Sequence, residues 1–199
     1  MKSLRRYGVV GLMAAMVLAA LVWQTAPVRG QETISAQIRL QLNILNKLLV
    51  GLRTITSTLD QDYTQLFSSG TGANQGNAMW QSQRTLGASA TEALDLNGSL
   101  TDDFGQSIAC TALKALLVKA AVANTNNVLV GGGATTLTSM TTVGVLQEGL
   151  VVRPGGVLLW TFPDATGAAV TATSADKLQV ANSGGSTSVT YDIVAICEE

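Results

Sequence analysis

The sequence predicts a mainly β protein, in which an antiparallel β-sandwich head of jelly-roll type follows an N-terminal coiled-coil helix. Two observations lead to this prediction. Apolar residues near the start of the chain recur at alternating steps of four and three, which is the spacing of a coiled-coil seam. Beyond them, short apolar runs alternate with turn-forming residues up to the C-terminus, which is typical of an antiparallel β protein.

Residues 1–30 have the three parts of an export signal. Lys2, Arg5 and Arg6 precede an apolar run at 9–23, and a polar stretch then ends in Val28-Arg29-Gly30. The run of about 15 residues is shorter than the ~20 that span a bilayer, so cleavage is favoured over retention as an anchor. We expect the rest of the chain to be secreted, or displayed on a cell or virion surface. Membrane contact is expected only if the signal stays uncleaved.

Residues 31–67 are predicted to form the coiled-coil helix, a stalk. The residues of its seam are Ile34, Ile38, Gln41, Leu45, Leu48, Leu52, Ile55 and Leu59. Leu at the a positions with Ile at the d positions favours three or more strands, so this seam is expected to form a homotrimer. An amphipathic helix packed on its own domain is the alternative.

A flexible linker is predicted at 68–77, where no apolar residue is larger than Ala, and the head is assigned to 78–199. The strand-like runs of the head are Met79–Leu86, Thr91–Leu96, Ser107–Ala112, Ala115–Ala121, Val128–Val130, Leu150–Arg153, Val157–Phe162, Ala168–Thr173, Lys177–Ala181 and Ser188–Cys197. Residues 113–123 also fit one face of a helix. Strands of this length and spacing favour an antiparallel sandwich, with a jelly roll preferred to a barrel.

The charge distribution argues against nucleic acid as a partner. Without residues 1–30, eight basic residues face thirteen acidic ones, a net charge of −5. The basic residues are scattered singly, so the chain has no basic stripe for a phosphate backbone and no polybasic patch for anionic lipid.

Cys110 and Cys197 are the two cysteines of the chain. In an exported protein a disulfide between them is the natural hypothesis. Two buried free thiols in adjacent core strands are the alternative, because a bond also requires a Cα separation that the sequence does not supply.

The residues that carry chemistry are sparse, and we predict no catalytic, cofactor-binding or metal-binding residue. The chain has no histidine, which removes the Ser-His-Asp and Cys-His systems and most zinc and copper sites. Asp102 and Asp103 lack the spacing of a calcium loop and are better interpreted as a solvated turn. A non-enzymatic protein is therefore expected.

Two tryptophans were weighed as contacts for a ligand such as a surface glycan. Trp160 lies in the dense apolar run 157–162, so it is predicted to be part of the core. Trp80 is followed by the polar residues Gln81, Ser82 and Gln83, which makes it the candidate ligand contact.

Three stretches of the head, at 94–105, 152–159 and 188–194, carry a resemblance to a known group of proteins. Residues 85–196 resemble small uncharacterised proteins encoded among the virion structural genes of tailed phages. The resemblance implies a β-sandwich virion or decoration component, and it carries over no catalytic residue. The export signal and the predicted stalk depart from that pattern, which leaves a cell-encoded surface protein as the alternative.

These observations together predict an exported structural or adhesive protein, in which a trimeric stalk presents β-sandwich heads. Its expected partners are copies of itself and a surface glycan or a virion or cell-surface protein. A monomeric carbohydrate- or ligand-binding module, with the helix packed intramolecularly, is the alternative.

Overall fold

The computed structural model of the chain describes residues 33–50, 53–132 and 149–199. Within these ranges the regular structure is β throughout, without a helix, and nearly all strand pairs are antiparallel. The predicted mainly β class is therefore confirmed. The predicted export signal at 1–30 lies outside the described residues. No described helix is long and apolar enough to span a membrane.

The strands fall into a long hairpin and a head. The hairpin consists of β1 (Ser35–Val50) and β2 (Arg53–Ser69). The remaining strands are β3 (Gln75–Gly76), β4 (Ala78–Leu86), β5 (Thr91–Asp95), β6 (Asn97–Thr101), β7 (Ser107–Ala109), β8 (Ala112–Ala120), β9 (Val128–Val130), β10 (Leu150–Val152), β11 (Val157–Thr161), β12 (Ala168–Ala169), β13 (Lys177–Asn182) and β14 (Val189–Glu198).

Two antiparallel sheets form the head and share one hydrophobic core. One has the strand order β10-β9-β13-β5, and the other has the order β11-β8-β14-β4, with β12 paired to one end of β8. In β14 the odd-numbered residues from Val189 to Cys197 are buried, as the period of two predicts for a strand covered on one face. The core draws on both sheets, since Leu94 and Val180 belong to the first sheet and Leu116 and Ile193 to the second.

Every strand-like run that the sequence indicated in the head contains a strand of the structure. The run at 115–121 begins earlier, at Ala112, so the helical interpretation of 113–123 is wrong. Strand β6 was missed, because it begins with Asn97-Gly98, a pair typical of a tight turn.

The predicted coiled-coil helix is wrong over its described residues, which form β1 and β2 with a continuous register from Ser35↔Ser68 to Val50↔Arg53. The same segment satisfies both the heptad spacing of a coiled coil and the alternation of a strand. Ile38, Leu45 and Leu48 fit a heptad, but Leu40, Leu42 and Ile44 also fit a period of two. The run Arg53–Thr58 is rich in Thr and contains Ile55, and such β-branched residues favour strands.

The segment predicted as a flexible linker is a hydrogen-bonded turn. Ser68 N donates to Asn74 O at 3.0 Å, and Asn74 N donates to Pro163 O of the head at 2.7 Å. Strand β3 pairs in parallel with the end of β2. The hairpin is therefore joined to the head by folded structure.

Candidate functional site

The hairpin has one apolar and one polar face, and the apolar face is the most distinctive surface of the described chain. The register places even-numbered residues of β1 beside odd-numbered residues of β2, as in Leu40↔Tyr63 and Ile44↔Leu59. We call this side the apolar face. Its apolar members whose side chains are described are Ala36, Ile38, Leu40, Leu42, Ile44, Ile55, Leu59, Tyr63 and Phe67.

The base of the apolar face is covered by the head. Phe67 is buried against Ala115 of β8 and Ile196 of β14, and Ala36 and Ile38 pack against the same cluster. The Tyr63 hydroxyl lies 3.4 Å from Thr161 Oγ1 at the end of β11. The hairpin thus begins as a layer on the outer side of the second sheet.

Beyond this base the same face has no cover among the described residues. Leu40 is 59 % exposed and Ile55 is 58 % exposed, and even Ile44, in the middle of the face, is 45 % exposed. Contiguous exposed apolar surface of this kind marks an interaction site in soluble proteins.

The opposite face of the hairpin is polar. Arg39 and Asp62 form an ion pair across the two strands at 2.8 Å, with both side chains well exposed. Thr54, Thr56 and Thr58 lie on the same side of β2. Leu45 and Leu66 are exposed apolar exceptions there, and the register also places Leu49 on this side. This polarity is what a solvated face requires, and it contrasts with the uncovered apolar face.

The structure divides the predicted seam between the two faces. Ile38, Ile55 and Leu59 lie on the apolar face, whereas Gln41 and Leu45 lie on the polar face. Ile34 is buried just before β1, and its backbone N–H donates to Ser69 Oγ at 2.5 Å. Leu48 lies in β1, and Leu52 is outside the described residues. Leu40, Leu42 and Ile44 were missed as a set, although their strict alternation was a signal that could have found them.

Trp80 is not an exposed contact, which corrects the prediction. It lies in β4 opposite Ala195 of β14 and is only 4 % exposed, inside the shared core. Its position on the inward side of β4 explains this, since the neighbouring polar Gln81 and Gln83 point outward. The monomeric glycan-binding alternative thereby loses the residue on which it rested. Trp160 packs against the core, as predicted, and its ring stacks on Phe162 at 5.4 Å between centroids.

Cys110 and Cys197 form a disulfide, which confirms the hypothesis of pairing. Their Cα atoms are 5.4 Å apart, within the range that the bond requires. Cys110 lies between β7 and β8, and Cys197 lies near the end of β14. The bond therefore ties the small β6–β7 ribbon to the second sheet.

A buried lysine, which no sequence pattern singled out, holds the turn before β12 against the head. Lys114 of β8 is fully buried, and its Nζ lies 3.1 Å from Glu198 Oε2. It also donates to the carbonyl oxygens of Ala165 at 2.8 Å and Asp164 at 3.1 Å. Backbone hydrogen bonds from Gly167 and Thr166 to the exposed Asp164 carboxylate lower the pKa of that group. The lysine and this carboxylate organise the turn before β12.

A second polar cluster joins the inner faces of the two sheets. Arg84 of β4 forms an ion pair with Glu92 of β5 at 2.5 Å, and the hydroxyl of the buried Tyr191 donates to the same carboxylate. Burial and the carboxylate of Glu92 raise the pKa of Tyr191. The hydrogen bond to Glu92 likewise raises the pKa of Arg84. The Glu92 carboxylate accepts from both Arg84 and Tyr191, so the cluster is a structural bridge between the sheets.

The predicted solvated turn at Asp102 and Asp103 is a structured loop. Asp102 Oδ1 accepts hydrogen bonds from the backbone N–H groups of Phe104 at 2.9 Å and Gln106 at 2.7 Å. The loop presents Phe104 with 77 % of its surface exposed. An aromatic side chain on a braced loop can make a contact with little loss of conformational freedom. The described residues contain no group of three or more acidic or cysteine side chains arranged for a metal ion.

Comparison with known proteins leaves this geometry to be interpreted by itself. No protein family model, curated protein or solved structure matches the chain. The candidate surfaces are therefore the apolar face of the hairpin and the Phe104 loop of the head.

Proposed function

We propose that this chain is an exported, non-enzymatic structural or adhesive protein that groups its heads on a surface, as a decoration or fibre-like component of a virion or a cell envelope does. In this proposal the head is a jelly-roll-like β-sandwich and the protein is a homo-oligomer. A trimer remains the prediction for the number of copies, although the coiled coil from which it was inferred is replaced by a hairpin.

The disulfide is the observation that supports export. Structural disulfides form and persist in oxidising compartments and are rare in the cytosol of mesophiles. The bond closes a loop between residues 87 positions apart, and the N-terminal export signal predicted at 1–30 would deliver the chain to such a compartment. The predicted signal at 1–30 and the disulfide between Cys110 and Cys197 therefore both favour export.

The construction of the head supports a passive, load-resisting role. Its core is closed by a disulfide, by the Lys114 network and by the Arg84–Glu92–Tyr191 cluster, which together restrain both sheets. A head of this kind is suited to presenting loops on a rigid scaffold. Grouping several heads would raise the effective affinity of weak contacts without any tight single contact.

Export is tested by N-terminal sequencing and thiol titration of the protein recovered from the strain that carries the gene. We expect a mature chain beginning at Gln31, no thiol that reacts without a reductant, and two after reduction. An intact N-terminus with two reactive thiols in a cytosolic fraction would contradict export.

Adhesion is tested by binding of labelled protein to washed cells of that strain. Phe104→Ser should reduce binding at least tenfold if the Phe104 loop makes the contact. Val122→Ser is the matched control, because Val122 is 81 % exposed on another loop of the head. Equal binding of both variants and the parent would exclude the Phe104 loop as the adhesive surface.

A further inference from the structure

We propose that the uncovered part of the apolar face is a self-association surface, and that its occupant is the same face of a second copy of this chain. This inference rests on the proposed function for the grouping of heads, and it deepens that function by naming the element that groups them. Each hairpin would supply one layer of a two-layer contact between copies.

The uncovered part of the apolar face continues a contact that its base already makes with the head. At its base the apolar face is covered by Ala115 and Ile196 of the head. From Leu40 to Ile44 on β1 the same side of the ribbon continues, with the same alternation, but is exposed. A two-stranded hairpin without a second layer is marginally stable in water. The part beyond the base therefore requires a cover of the kind that the base already has.

The apolar faces of two copies match each other in length and in the spacing of their side chains. The uncovered part of β1 includes the residues from Leu40 to Asn46, about 20 Å of extended chain. A covering layer must present apolar side chains at the same spacing along that length. A second hairpin meets this requirement by identity, because isologous contacts pair one surface patch with itself.

The distribution of charged residues on the hairpin also favours contact between two apolar faces. The register places no charged residue on the apolar face between Ala36 and Asn46 of β1 or between Ile55 and Phe67 of β2. The ion pair of Arg39 with Asp62 lies on the polar face, where it stays solvated. Two apolar faces can therefore meet over this span without burying a charge. Arg53, opposite Val50 at the far end of the hairpin, is a charged residue on this side, and its exposed side chain can stay in solvent.

The strand edges and the polar residue Gln61 of the hairpin fit a protein partner better than a lipid surface. Along the hairpin, β1 pairs only with β2 in the described chain, and the other edge of β2 pairs with β3 only at Ser68 and Ser69. A hairpin immersed in lipid would place these unpaired backbone groups in hydrocarbon, whereas two hairpins packed face to face leave them at edges that water can reach. The apolar face also contains Gln61, which lies opposite Leu42. An amide side chain has hydrogen-bond partners between two protein layers and none in hydrocarbon.

The experiment measures the mass of the purified protein by light scattering at tens of micromolar. We expect two chains per particle, rather than the three predicted from the sequence, because a face paired with itself closes at two copies, and Ile44→Asp should reduce the mass to that of one chain. Leu45→Asp is the matched control, because Leu45 is the adjacent apolar residue of the same strand, is exposed, and lies on the polar face. This control should keep the mass of the parent. A monomeric parent, or an Ile44→Asp variant with the parent's mass, would overturn the proposal.

A second measurement keeps the proposal falsifiable if Ile44→Asp disturbs the fold. Ile44→Cys lies near the middle of the uncovered face, so mild oxidation should link two copies with at least tenfold the yield of Leu45→Cys. The described cysteines are both in the internal disulfide and do not compete in the parent. Equal yields from the two variants would contradict face-to-face contact.

Membrane binding is the remaining alternative, and sedimentation with vesicles distinguishes it. The probe is a vesicle of phosphatidylcholine and phosphatidylglycerol. A monomeric parent that sediments with these vesicles, and an Ile44→Asp variant that does not, would assign the apolar face to a lipid surface and reject the second copy. A parent protein that is exported normally but stays monomeric would contradict this inference and leave the proposed export intact.

Discussion

The hairpin and the β4–β14 pair of the head are two long antiparallel ribbons with the same alternation and different surroundings. In the head, Tyr191, Ile193 and Ala195 of β14 face a second sheet and are buried. In the hairpin, Leu40, Leu42 and Ile44 alternate in the same way and stay exposed beyond the base. Alternation therefore favours a strand in both ribbons. Whether the apolar face of the strand is buried depends on a second layer that packs against it.

The largest effect is expected from removing the covalent link of the head. Replacing Cys110 and Cys197 with Ala should lower the free energy of unfolding by about 4.5 kcal/mol, because the bond closes a loop of 87 positions in the unfolded chain. Denaturant unfolding monitored by tryptophan fluorescence measures this loss. Association through the hairpin should be unchanged when the variant is folded. A loss below about 1 kcal/mol would mean that the two sheets hold the head without the bond.

The next effect concerns the buried lysine. Lys114→Met should lower the free energy of unfolding by about 3 kcal/mol, since it leaves the Glu198 carboxylate and the carbonyls of Asp164 and Ala165 without their donor. Lys119→Met is the matched control, because Lys119 lies in the same strand and is exposed. We expect less than about 0.5 kcal/mol for the control. Similar losses in both variants would show that the Lys114 network is dispensable.

Sequence patterns predicted the head far better than the hairpin, and the reason is physical. The strands of the head are short and bounded by turn residues such as Pro154-Gly155, so their period of two has no competitor. In residues 34–59 the apolar positions satisfy both a heptad and a strand. Tertiary contacts decide between these periods, and a pattern of apolar residues does not show those contacts.

The candidate surfaces were predictable to different degrees. Three members of the predicted seam, Ile38, Ile55 and Leu59, do lie on the apolar face, because any apolar pattern selects some of the right residues. Trp80 was wrongly placed at the surface, because its polar neighbours alternate with it along β4 and point the other way. Lys114 was not recognised as buried, because burial of a lysine depends on carbonyls from a turn distant in sequence.

A smaller effect is expected at the bridge between the sheets, and it depends on pH. Tyr191→Phe should lower the free energy of unfolding by about 2 kcal/mol at neutral pH, because the part-buried Glu92 carboxylate loses the hydrogen bond from the tyrosine hydroxyl. Tyr63→Phe, at an exposed tyrosine of the hairpin, is the control.

The sign of the pH dependence follows from the pKa of Tyr191, which folding raises above the unfolded value of about 10. The folded state then holds its proton while the unfolded state loses it, so the parent should lose stability as the pH rises above about 10. Tyr191→Phe should lose less over the same range. Parallel stability curves for parent and variant would contradict the raised pKa.

The smallest effect is expected on the polar face of the hairpin, at the ion pair of Arg39 with Asp62. Both side chains are well exposed, so solvent screens the attraction, and Arg39→Gln with Asp62→Asn should change the free energy of unfolding by less than about 0.5 kcal/mol. Neither substitution touches the apolar face, so the particle mass should also stay that of the parent. A fall to one chain in light scattering would place the contact between copies on the polar face and reverse the assignment of the two faces. The ion pair of the buried Lys114 with Glu198 in the head and the exposed pair of Arg39 with Asp62 in the hairpin should therefore give a large and a small loss in the free energy of unfolding.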